Sequence, residues 1–191
     1  MKPWITGKRV LDVGCVGGLN WSDESRSEWL HEFVRTHAAS VVGLDFAERE
    51  AKKLQQEGYD IRIGDAEKTD LGETFECIVG GEIIEHLMNV GDFLSNMKHH
   101  LAPGGTLVLT TPNPFYPKRQ FEILFSGKAD VHPDHTLWYC PQTLTYALKR
   151  AGFREINIIP FSNSHGLNAI GRLPGAIRPW FSTNLMAVAK V

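Results

Sequence analysis

Arg9-Val10-Leu11-Asp12-Val13-Gly14-Cys15-Val16-Gly17-Gly18-Leu19 is the stretch from which the fold of this 191-residue chain is read. Val10, Leu11 and Val13 form a short apolar run that collapses into glycines, the pattern of a buried strand feeding a tight turn. Glycine tolerates positive φ and lets a ligand approach the backbone closely, so such a turn at the carboxyl end of a parallel strand predicts a nucleotide cradle. Spacing excludes two phosphate-binding cradles: Gly14, Gly17 and Gly18 satisfy neither G-x-G-x-x-G nor G-x-x-x-x-G-K-[ST], and no Lys-Ser/Thr pair follows directly. The competing reading is a strand-to-helix turn that serves packing alone.

Outward from that turn, the chain reads as one α/β domain spanning 1–191. A net charge of −2 and the lack of any Lys/Arg run longer than two residues leave no footprint for nucleic acid. Cys15, Cys77 and Cys140 are odd in number and lack metal-ligand spacing, which predicts reduced thiols and a cytoplasmic protein. Met1-Lys2-Pro3-Trp4 opens no signal-peptide core, and no run approaches the ~18 apolar residues of a membrane span.

After the turn, Trp29, Leu30, Phe33 and Val34 share the apolar face of a crossover helix. Val41 to Asp45 is a second strand ending in a carboxylate, followed by Phe46; an acid at that strand end accepts hydrogen bonds from ribose hydroxyls, or else caps the next helix. Ala47 to Gly58 reads as a helix and Tyr59 to Ile63 as a third strand, beyond which Asp65 and the amide of Ala66 are placed to meet an adenine. A fourth strand covers Phe75 to Gly80, a helix Asn89 to Leu101, and a fifth strand Thr106 to Thr110 after the breaker Pro103-Gly104-Gly105. A helix from Pro141 to Ala151, a strand from Glu155 to Pro160 and a closing strand from Asn184 to Val191 complete the pattern, the last two strands antiparallel. Two irregular stretches, at about 111–138 and 161–183, are candidate acceptor-site insertions. With nine residues ahead of the first strand, either these insertions roof the acceptor site or it stays open to a large acceptor. The second insertion carries Arg172, Arg178 and Trp180, suited to an anionic or membrane-associated acceptor, although packing on the sheet is the plainer reading.

VLDVGC (10–15), VVGLD (41–45), IGDAE (63–67), GEIIEHL (81–87), LAPGGTLVLTTPN (101–113) and DHTLWYCPQTLTYALKRAGF (134–153) occur in an order that resembles small-molecule class I S-adenosylmethionine-dependent methyltransferases, including quinone and sugar O-methyltransferases. Val16 stands where that family's first motif has its middle glycine. The resemblance implies a doubly wound seven-stranded sheet of order 3-2-1-4-5-7-6 with the last strand antiparallel. It also implies S-adenosylmethionine as cofactor: Asp12, Gly14 and Gly18 border the methionine portion, Asp45 and neighbouring Phe46 the ribose side, Asp65 and Ala66 the adenine, and Glu82 the sulfonium end. The acceptor is then a small molecule, methylated on a hydroxyl oxygen.

Removing a hydroxyl proton calls for a base, and His86 and His135 are the two candidates, with His135 preferred because Pro133 and Pro141 restrict the segment that presents it. Either histidine has a structural alternative as a packing or capping group. Glu82, Glu85, His86 and His135 also resemble the metal-binding pattern of some quinone and small-RNA methyltransferases, but metal-free relatives share the pair after the fourth strand, and no metal is assigned. Two rivals from other classes are a nicotinamide-type dinucleotide domain, disfavoured by the absent G-x-G-x-x-G, and a catalytically silent cofactor-binding module.

Overall fold

The computed structural model describes residues 1–17, 28–129, 131–162 and 181–191. Seven strands form one sheet: β1 (Arg9–Val13), β2 (Ser40–Asp45), β3 (Ile61–Ile63), β4 (Phe75–Gly80), β5 (Leu101–Pro112), β6 (Arg154–Phe161) and β7 (Asn184–Lys190). Their order is β3-β2-β1-β4-β5-β7-β6. The first five strands run parallel, and β7 lies antiparallel between β5 and β6. The expected architecture is thus the observed one. Around the sheet lie α1 (Lys2–Ile5), α2 (Leu30–His37), α3 (Glu48–Gln56), α4 (Val90–His99), α5 (Pro117–Ser126) and α6 (Pro141–Arg150).

Strand alternation divides the core into two faces. Leu11, Val13 and Ile78 point to one side, where Phe93, Leu94 and Met97 of α4 and Leu144 and Leu148 of α6 cover them. Val10, Cys77 and Val79 point to the other, against Ile5 of α1 and Val34 of α2. Each such side chain, fully buried, contributes ~1.5–3 kcal/mol, so both helical layers are held by apolar area rather than by specific polar contacts. Asp12 alternates in phase with Val10 and therefore faces the α2 layer.

Some boundaries differ from the sequence reading. The helix expected to reach Leu101 ends at His99, and β5 begins at Leu101, which pairs with Phe75. The register shifts before Cys77 meets Thr106, so Pro103-Gly104-Gly105 forms an irregularity inside the strand, with Gly104 at φ 75°, instead of a break ahead of it. The third strand is shorter than read, beginning at Ile61 and not at Tyr59. In α2 the apolar face is rotated: Phe33 is exposed, and the side chains buried within the helix are His31 and Val34. A histidine on the inner face is invisible to apolar periodicity, because the pattern counts it as polar. Helix α5 buries none of its side chains, and Phe121, Leu124 and Phe125 stand exposed. Among the described residues no helix is long and apolar enough to cross a membrane.

Candidate active site

The carboxyl ends of β1, β2 and β4 meet where the strand order reverses, the position at which open α/β sheets bind ligands. Gly14 turns the chain there with φ 72°, its amide bonded to the Leu44 carbonyl at 2.9 Å. A Cβ at that position would be strained by the backbone and would also press on Ile83 at 3.0 Å, so the glycine is required. Val16 is buried with Cys15, Trp29, Ala51, Leu54 and Ile61. Its side chain thus packs into the protein, and its amide donates to Asp45 Oδ2 at 2.8 Å, which explains how the loop accommodates a valine in place of a glycine.

The remaining cofactor-side candidates have distinct surroundings. Asp45 is 6% exposed, and its second oxygen accepts the Ala47 amide at 2.9 Å. A carboxylate has about four lone-pair sites, so acceptor capacity remains beyond these two bonds. Phe46, beside it, is 82% exposed, an apolar ring standing at the end of β2. Asp65 is exposed and accepts the Glu67 amide, and it pairs with Lys68 at 3.2 Å; these bonds hold its carboxyl below the usual range. Ala66 packs against the core, and its carbonyl accepts a bond from Asn96 Nδ2. Asp12 is 1% exposed and bonded to His31, so it borders the turn from inside the protein. Gly18, with Arg172, Arg178 and Trp180, lies outside the described residues.

On the other side of the crease, Gly80-Gly81 leads into Glu82, which adopts φ 50°, a conformation non-glycine residues rarely hold. Such strain concentrates at functional sites and is held by its surroundings. Here the Glu82 amide bonds to the Thr110 carbonyl and hydroxyl, and Asn184 Nδ2 donates to both carboxyl oxygens at 3.2 Å. Glu82 is exposed by surface area, yet the atoms packed around its carboxyl raise its pKa, against the opposing bonds from Thr110 and Asn184. Glu85 is 1% exposed and pushed up to about 7 by burial, with the Glu82 charge adding to the shift. Thr111 lies near enough to oppose that rise, but among the described residues neither its Oγ1 nor either Glu85 oxygen makes a hydrogen bond of ordinary geometry.

His86 and His135, far apart in the chain, come together with ring centroids 4.5 Å apart and planes at 89°. His132 joins them, 5.8 Å from His86 and 5.5 Å from His135. The segment is docked by Thr136, whose amide bonds to the Glu85 carbonyl at 2.8 Å and whose hydroxyl reaches the carbonyls of Glu85 and Leu87. Burial lowers the pKa of both His86 and His135, and the neighbouring imidazoles lower each further. Both rings are therefore neutral near pH 7, as a proton acceptor must be. Arg119 of α5 stacks over Trp138 at 4.9 Å and adds positive charge beside His135. Of the aromatics flanking this region, Tyr139 is buried in the core, whereas Phe115 and Trp138 stay exposed.

The four residues Glu82, Glu85, His86 and His135 do not converge as one ligand set. Among the described residues, the group whose ligand atoms all lie within 4.8 Å of one another is His86, His132 and His135. Sequence reading missed His132, although its three-residue spacing from His135 was a usable signal. It also missed His31 and Asn184, for which no local pattern exists.

Comparison with known proteins agrees with this fold. The methyltransferase domain family model matches residues 4–157. A mitochondrial ubiquinone biosynthesis O-methyltransferase of Homo sapiens is 29% identical over 179 residues, covering 83% of this chain and 46% of its own length. A ubiquinone biosynthesis O-methyltransferase of Rhizobium rhizogenes is 34% identical over 116 residues, covering 57% of this chain and 43% of its own. The chain thus spans about half the length of the curated relatives it matches. The crystal structure of a SAM-dependent methyltransferase from Archaeoglobus fulgidus superposes with a TM-score of 0.70 at 19% identity, covering 99% of this chain and 89% of that one. Fold and switch-point turn define a class I methyltransferase architecture, and the chain belongs to the methyltransferase domain family.

Proposed function

We propose that this chain transfers a methyl group from S-adenosylmethionine to a hydroxyl oxygen of a small-molecule acceptor, as a cytoplasmic enzyme acting without nucleic acid. The observation that carries the reading is the convergence of three imidazoles, His86 on the segment that follows the Glu82 turn and His132 and His135 on the segment docked to it through Thr136, with ligand atoms within 4.8 Å of one another. The O-methyltransferase names of the relatives support oxygen as the accepting atom. The cofactor supplies an activated methyl carbon, so the protein's task is to align the acceptor, exclude water and take a proton. Asp45 and Phe46 hold the ribose side, Asp65 and Ala66 the adenine, Gly14, Gly18 and, through the turn, Asp12 the methionine portion, and Glu82 the reacting end. In this reading the stretch from 111 to 138 walls the acceptor side of a single domain; most of the second candidate insertion, at 161–183, lies outside the described residues.

His135 is the base in this reading. Thr136 anchors it on Glu85, its ring is neutral, and His86 and His132 line its flank. His135→Ala is expected to lower kcat by ~10²–10⁴-fold while cofactor affinity stays nearly unchanged. A second reading rests on the same three nitrogens within 4.8 Å, a spacing suited to a divalent ion that would acidify a bound hydroxyl. Assays after chelation, with and without added zinc, the kind of ion three imidazoles suit, separate the two. Activity restored by the ion assigns the cluster to metal, activity indifferent to chelation assigns His135 as base, and wild-type turnover by the variant in both buffers removes His135 from the chemistry.

A further inference from the structure

The described part of the glycine turn is gripped from the α2 side at two points. Trp29 Nε1 donates to the Cys15 carbonyl at 2.6 Å, inside the turn, and His31 Nδ1 bonds to Asp12 Oδ2 at 2.8 Å, at its base. Asp12 and His31 are both about 1% exposed. The imidazole packs against Trp29 and Tyr59, with ring centroids 4.9 and 5.9 Å away. Gly43 lies directly across from Asp12 on β2, and a Cβ there would stand 3.2 Å from His31 Cε1 and 2.6 Å from Cys15 Sγ. Gly43 has no left-handed backbone, so its lack of a side chain answers to the space taken by Ile61, Cys15 and the imidazole.

The far nitrogen, His31 Nε2, is buried and has no hydrogen-bond partner among the described residues. With its proton on Nδ1 the ring donates to the Asp12 carboxylate and Nε2 is an acceptor. The opposite tautomer would bury an N–H without an acceptor and leave Asp12 without its donor, the costlier arrangement. We propose that His31 is a positioning residue for cofactor binding: by holding the Asp12 carboxylate in one orientation it keeps the Gly14–Gly17 turn in the shape that accepts the cofactor. The inference rests on the reading of that turn as the cofactor cradle.

Several charged and titratable groups surround the pair. Asp45 on β2 and burial both push the Asp12 carboxyl up, and burial is the larger cause; His31 opposes them. Cys15 is pushed up by burial and stays a neutral thiol. Tyr59 flanks the ring and donates to Glu32, which Arg35 also binds.

Calorimetric titration of the full chain with S-adenosylhomocysteine at neutral pH tests this. His31→Leu should bind roughly tenfold more weakly than wild type, having lost a bond to a buried carboxylate. His31→Asn restores an N–H donor toward Asp12 and should regain most of the affinity. His31→Asn remains informative if the leucine variant fails to fold. Failure of wild type to bind overturns the cofactor reading and the inference together. Wild-type affinity in a folded His31→Leu, or binding by His31→Asn weakened roughly tenfold, overturns the inference alone.

Discussion

Asp12, one residue before the end of β1, and Asp45, at the end of the adjacent β2, have neighbours that give them different work. Asp12 faces the α2 layer and meets an imidazole, whereas Asp45 reaches across to the Val16 amide while also holding Ala47. Asp45 can thus shape the turn and face the crease at once, because two oxygens accept more than two bonds. Asp45→Ala is expected to weaken S-adenosylhomocysteine binding by about 1.5–3 kcal/mol, the loss of charge-assisted bonds to ribose plus a loosened turn. Calorimetry on the folded variant reads this directly, and an unchanged affinity would remove Asp45 from the site. The glycines and acids of this crease were legible because each stands at the end of an apolar run, where strand geometry leaves little choice of position. His31 was not, since a polar residue within an amphipathic helix has no local mark of its burial.

Helix α4 shows how an element's end depends on a residue outside it. Asn89 precedes its first turn and makes no side-chain cap, yet Glu67 accepts the amides of Met88 and Asn89 at 3.1 and 2.9 Å and the Asn89 side-chain amide at 2.8 Å. A carboxylate at a helix start satisfies donors the helix cannot, and the helix dipole favours its charge. These bonds hold the Glu67 carboxyl below its ordinary value. Glu67→Ala should therefore cost about 1 kcal/mol, a drop of roughly 2–4 °C in Tm. Because the folded pKa is depressed, this contribution is fully present above the unfolded carboxylate value and is lost as pH falls through the folded one. The stability difference between wild type and variant should hold constant near neutrality and vanish in acid. The periodic pattern marked this helix within a few residues, but its cap lies 22 residues earlier in the chain.

Across the whole molecule, the residues that lead into the closing strand tie the stretch after β5 to the sheet. Asn113, fully buried after β5, donates through Nδ2 to the Ser182 carbonyl at 2.8 Å and through its amide to the Thr183 carbonyl, while its Oδ1 accepts the Phe115 amide. Asn113→Ala would strand buried polar groups on two segments and should cost ~1–3 kcal/mol, measurable as a lowered urea midpoint with an unchanged slope. Near it, Asn184 spans 102 positions to hold Glu82 in its strained turn. Local periodicity and glycine placement were enough to recognise the parallel strands, most of the helices and the glycine crease, and the ordered motifs were enough to name the architecture. Those features are legible because a period of two or of 3.6 residues is a property of the local chain. The meetings of His31 with Asp12, of His86 with His132 and His135, and of Asn184 with Glu82 were decided by strand order, face and register, through which residues remote in the chain become neighbours.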